Sequence, residues 1–138
     1  MLSAYNNSTA NALLADNFVD ASDSIDYLAV ITLGSPTFPF EAAFEQGQGT
    51  QAPVPISLHN VDAVTCNGVI AFRWITYPAT GKLEVKGSNI LYTVSGRDKN
   101  SVEHGGSQIS QVFSEFNSAA WIVDLELPCN PPPATPRA

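Results

Sequence analysis

Apolar and polar positions along this 138-residue chain change their period once, and the change divides it in two. In the first third apolar residues recur three and four apart; from Pro53 onward they recur at every second position. Residues 8 to 15 predict a short helix capped by Asn7 or Ser8, with Ala10, Leu13 and Leu14 on one face and an end near Asn17. "SIDYLA", residues 24 to 29, predicts a second. A third begins in "TFPFEAAFEQG", where Pro39 suits a first turn, Phe40, Ala43 and Phe44 share a face, and Gly47 ends the helix.

The remainder predicts strands. "VPISLHNVDAVTC" puts Val54, Ile56 and Leu58 on one face, "VIAFRWITY" is apolar on both, and "NILYTVSG" alternates Ile90, Tyr92 and Val94. "SQISQVFSEF" and "AAWIVDLEL" follow, the latter with Trp121, Val123, Leu125 and Leu127 inward and Asp124 and Glu126 outward. Five strands in succession imply an antiparallel meander, with turn chemistry at Asn67 and Gly68 and a loop from Ser95 to Gly106. The expected domain covers residues 1 to 129, and the Pro-rich residues 130 to 138 form a loose tail. Helices followed by strands make an α+β domain, with short N-terminal helices packed in a strongly curved antiparallel sheet as in a cone. A strand apolar on both faces needs cover on the outer side too, which predicts a homodimer.

Composition narrows the partners. With 44% hydrophobic and 14% charged residues the chain folds rather than staying disordered. A net charge of −7 with only six Lys and Arg excludes the clustered cations that nucleic acid or an anionic membrane would need. No apolar run approaches the ~20 residues that span a bilayer. No charged-then-apolar segment opens the chain, although "MLSAYNNSTANALL" reads as the middle of a helical region. Cys66 and Cys129 have no C-x-x-C or His-rich context, so one disulfide is expected rather than zinc. "NNST" holds overlapping glycosylation sequons at Asn6 and Asn7, which with the disulfide predicts a secreted protein; a cytoplasmic one is the alternative.

Asp16, Asp20, Asp23 and Asp26 in "LLADNFVDASDSID" lack the alternate-residue spacing of a calcium loop. Asp23 reads as the N-cap of the second helix, Asp26 as its capping-box partner, and Asp16 as a solvated residue at the end of the first helix. Asp20 shares a face with Phe18 if this stretch is a strand, and a carboxyl turned into an apolar interior is held protonated toward neutrality, where it can serve as general acid or base. The plainer reading is a carboxylate bonded to backbone amides, or a face turned outward. His59, opposite Ile56 and Leu58, is a candidate proton shuttle or a structural histidine. Tyr27, Tyr77 and Tyr92 are candidate phenol donors or packing residues. Phe40, Phe44, Phe72, Trp74, Phe113 and Trp121 are the rings available to line a pocket or fill a core. Serine nucleophile motifs, phosphate loops and dinucleotide fingerprints are absent, so no cofactor or metal is expected.

The order of elements, together with "LLADNFVDASDSID", "LGSPTFP" and "SEFNSAAWIVDLELPC", resembles the nuclear transport factor 2-like (SnoaL-like) superfamily over roughly residues 3 to 129, and within it a group of fungal, mostly secreted proteins. The resemblance implies a conical pocket mouthed by helices and floored by the sheet, on a fold shared by ketosteroid isomerases, scytalone dehydratases, polyketide cyclases and epoxide hydrolases. The dehydratases' histidine pair is matched only by His59 and by His104 in a Gly-flanked loop, and the Tyr-acid pair of the first helix is Tyr5-Asn6 here. The combined expectation is a pocket for a hydrophobic small molecule with cofactor-free isomerase, cyclase or dehydratase chemistry. Asp20, His59 and Tyr92 would be catalytic, and Tyr27, Phe40, Phe44, Trp74, Phe113 and Trp121 ligand-binding. The alternative is a non-catalytic secreted binding protein or a dimeric interaction protein.

Overall fold

The computed structural model describes residues 5–78, 83–95 and 106–129. The expected tail and most of the Ser95 to Gly106 loop, with His104, lie outside the described residues. The elements run α1 (Asn7–Leu13), β1 (Leu14–Ala21), α2 (Asp23–Ala29), α3 (Glu41–Gly49), β2 (Ile56–Val64), β3 (Val69–Thr76), β4 (Val85–Ser95), β5 (Ser107–Phe116) and α4 (Ser118–Asp124).

Helix α1 is capped one residue earlier than expected: the Asn6 side chain accepts the Thr9 amide at 3.1 Å. It ends at Leu13, and Leu14 passes directly into extended geometry (φ −90°, ψ 143°) because residues 14–21 pair with β5 instead of continuing the helix. Ser22, not Asp23, caps α2, its hydroxyl accepting the Ile25 amide at 3.1 Å. Asp23 instead accepts the Gly34 amide at 2.7 Å and ties down the following turn. Asp26 makes no capping-box bond; it is fully buried and accepts the Thr37 hydroxyl at 2.7 Å. Pro39 falls before α3, whose cap is Phe40, and Gly47 lies within the helix rather than ending it. A Cβ on Gly47 would stand 2.5 Å from Cε1 of Phe38, so the glycine is where that ring beds against the helix.

The sheet has the order β1-β5-β4-β3-β2. Strands β2 to β5 form the expected antiparallel meander, but the fifth strand is β1, joined parallel to β5. "AAWIVDLEL" is not a strand. Asn117 accepts the Ala120 amide at 3.1 Å and starts α4, which leaves Val123 64% exposed and buries Ile122 and Asp124. Asp124, expected outward, accepts the Leu83 amide at 3.2 Å. Trp121 and Leu125, four apart, share the inner face of a helix; the same residues at odd positions had read equally well as a strand.

Ala10, Leu14, Phe18 and Phe44 form the core, with Tyr5, Phe38, Ile109 and Val112 around them. Phe44 meets Phe18 and Phe38 edge to face, at 5.2 and 5.5 Å between ring centres. On the opposite side of the sheet Ile90, Tyr92 and Phe113 are each about two-fifths exposed, with Tyr92 and Phe113 in edge contact at 6.0 Å. Cys66, in the β2–β3 turn, and Cys129, beside the Tyr27 hydroxyl at 3.5 Å, are free exposed thiols, so the expected bridge is not formed. No helix among the described residues is long and apolar enough to cross a membrane.

Candidate functional site

Register decides what can face the interior. Trp74 on β3 pairs with Gly87 on β4, and Gly87 with Phe116 on β5; one step along, Phe72, Asn89 and Ser114 stand in line; the next row ends in Val112 and Asp20. These rows share the inner face, since side chains alternate across the sheet. Trp74 is only 2% exposed and lies flat against β4: a Cβ on Gly87 would come within 2.3 Å of its ring, contact that only glycine permits. Its indole Nε1 donates to Asn89 Oδ1 at 2.5 Å, and Ser114 Oγ donates to the same oxygen at 3.3 Å. A buried amide thus fixes both the ring and the hydroxyl.

In front of this floor lies a cavity of about 480 Å³. Trp74, Phe116 and Trp121 form one continuous aromatic wall, with ring centres 5.8 and 5.0 Å apart. Ile25 and Leu28 of α2, Leu125 at the C-cap of α4, and Pro53, Val54 and Ile56 close it with aliphatic surface. Its polar lining comes from Tyr5, Gln48, Gln51 and Ser114, and among the described residues no carboxylate, histidine, lysine or arginine lines it.

Asp20 shares the inward face with Phe18 and is 4% exposed, which excludes the outward alternative that the sequence left open. It does not line the cavity. Burial, then the Asp26 and Glu115 charges, push its carboxyl up to about 7, against the pull of a hydrogen bond from the Ala21 amide. Its Oδ1 is buried without a hydrogen-bond partner. Burial raises Asp26 as well, partly offset by the Thr37 hydroxyl. Glu115 reaches from β5 to the start of α2, accepting the Asp23 and Ser24 amides at 3.0 and 3.1 Å and the Ser24 hydroxyl.

The three residues expected to be catalytic are not brought together. His59 is exposed on β2, at a bulge between Leu58 and Asn60, on the sheet edge opposite the one that carries Asp20. Tyr92 is on the outer face with Phe113. Of the expected ligand-binding rings, Trp74 and Trp121 line the cavity. Phe44 is in the core, Phe40 is exposed beside α3, Phe113 is outside, and Tyr27 contacts Cys129. Tyr77 donates to Glu84 at 2.9 Å on the surface. Asn6 and Asn7 are exposed, with Asn6 occupied as a helix cap. Among the described residues no three His, Cys, Asp or Glu side chains converge as a metal site would require. Sequence reasoning missed Gly87, Asn89 and Ser114; the signal was the polar Asn89 at the same parity as Val85 in β4.

Cone, curved mixed sheet and interior cavity define the class, and the family follows from a match to the NTF2-like domain over residues 1–128: the chain belongs to the NTF2-like family. No curated protein matches it. Among solved structures it is similar to wild-type IdmH of Streptomyces antibioticus, a proposed polyketide cyclase (TM-score 0.55, 12% identity, 87% of this chain and 86% of that one). A loop-truncation variant of IdmH gives a TM-score of 0.57 at 13% identity, covering 86% of this chain and 85% of that one. A SnoaL-like protein of Shewanella denitrificans OS-217, also proposed to be a polyketide cyclase, gives 0.56 at 6% identity over 91% and 88% of the two chains. At these identities the likeness is one of fold.

Proposed function

We propose that this protein binds a hydrophobic small molecule in the cavity between the Trp74–Phe116–Trp121 wall and helix α2. The observation that carries the reading is the cavity itself: about 480 Å³, mostly apolar, with a few fixed polar groups. Such sites commonly hold drug-sized ligands, in volumes of roughly 300–1,000 Å³. The fold likeness to proteins named as polyketide cyclases supports an organic ligand of this kind. Proton transfer to the ligand is not part of the proposal, because Asp20 is outside the lining and no wall residue offers a comparable acid or base. The test is titration with the uncharged fluorophore N-phenylnaphthylamine. Its emission should rise and saturate, and Ala52→Phe, which adds a ring at an exposed lining position, should weaken binding about tenfold. An emission that never rises, or that Ala52→Phe leaves unchanged, would contradict the reading.

The exposed outer-face cluster of Ile90, Tyr92 and Phe113 supports a second proposal, that two copies of the chain pack through this face. Sedimentation should then report a dimer that Phe113→Glu converts to monomer. A monomer at all accessible concentrations would overturn it.

A further inference from the structure

We infer that the cavity admits flat, uncharged ligands and rejects the same ring systems once they carry an anionic group; the inference rests on the binding reading above. Three observations on different elements point the same way. Among the described residues the lining is free of ionised side chains, so an anion entering it would exchange water for apolar surface and find no countercharge there.

The donors of the cavity floor are already committed, and the remaining polar groups of the lining, the Tyr5 hydroxyl among them, carry no charge. Ser114 Oγ and Trp74 Nε1 both donate to Asn89 Oδ1, so neither proton is directed at the cavity. The amides that open α2 are taken by the Glu115 carboxylate. Among the described residues the cations are likewise engaged elsewhere: Arg73 pairs with Asp62 at 2.7 Å and Lys86 with Glu84 at 3.1 Å.

Net charge opposes an anion as well: the chain carries −7, and α2 and β5, which contribute Ile25, Leu28 and Phe116 to the lining, carry Asp23, Asp26 and Glu115 and no Lys or Arg. A flat ligand is favoured by the lining, which brings three contiguous rings together with the aliphatic side chains Ile25 and Leu28 of α2.

The experiment compares two probes of nearly identical ring structure, neutral N-phenylnaphthylamine and anilinonaphthalene sulfonate, in wild type, Ala52→Phe and Gln51→Arg. Wild type should bind the neutral probe at least about tenfold more tightly than the sulfonate. Gln51→Arg, which adds a cation at an exposed lining position, should tighten sulfonate binding about tenfold and so narrow or reverse the preference for the neutral probe. Sulfonate binding that Ala52→Phe does not alter lies outside the cavity and agrees with exclusion. If both probes bind equally well and Ala52→Phe weakens both, the charge selectivity is wrong while the cavity reading stands. If Gln51→Arg fails to recruit the sulfonate, exclusion by charge is overturned. If neither probe binds, the cavity reading falls and takes this inference with it.

Discussion

Asp20→Asn should make the protein more stable at pH 8, by about 1–3 kcal/mol net, and should lose that advantage as the pH falls toward 4. The sign comes from the direction of the shift. Burial raises the folded-state carboxyl from an ordinary value of 3.8 to about 7, so the folded chain holds the proton more tightly than the unfolded one. Stability contributed by the protonated group is fully present below the unfolded value and is lost as the pH rises through the folded one. Above pH 7 the ionised carboxylate stands unpaired beside Asp26 and Glu115. Asn keeps the shape and removes the charge, at the cost of one buried amide group that is not fully bonded, on the order of 1–3 kcal/mol. The pH-dependent part of the difference separates the two effects. Urea unfolding of both proteins at several pH values measures it, and parallel stability profiles would show that Asp20 does not titrate in the buried state described here.

Trp74→Ala should be the most damaging substitution in the cavity floor, costing about 3–5 kcal/mol, as truncation of large buried rings does. The indole is fully buried, and Asn89 loses its stronger donor when the ring is removed. N-phenylnaphthylamine binding should be lost with it. Trp74→Phe keeps most of the apolar surface but not the N–H, and should cost roughly 1–2 kcal/mol while retaining probe binding. If Trp74→Ala is too unstable to isolate, Gly87→Ala tests the same ring from the other side: the added methyl collides with the indole and should push it toward the cavity, weakening the probe. A Trp74→Ala protein of wild-type stability would contradict the packing described for the floor.

Much of this organisation could be read from the residues, and the failures have physical causes. The alternation of Phe18 and Asp20 put both on one face, since one-sided burial leaves a period of two, but left open which way that face turns. The fate of Trp121 was misread because apolar residues at 121, 123, 125 and 127 satisfy a strand, while only Asn117 and the pair Ala119 and Ala120 argue for a helix. The parallel pairing of β1 with β5 joins residues more than ninety positions apart, which no local pattern encodes. That pairing puts Asp20 on the opposite edge of the sheet from His59, and so decides that an apparent catalytic set is no set at all. The cavity floor depends on a glycine, an amide and a hydroxyl that acquire their roles only when three strands align Trp74 with Gly87 and Asn89 with Ser114.

The most direct measurement is a crystal structure of the protein saturated with N-phenylnaphthylamine. The account predicts probe density against the Trp74–Phe116–Trp121 wall, beneath Ile25 and Leu28. Density confined to the outer face around Ile90, Tyr92 and Phe113, with the cavity empty, would contradict it.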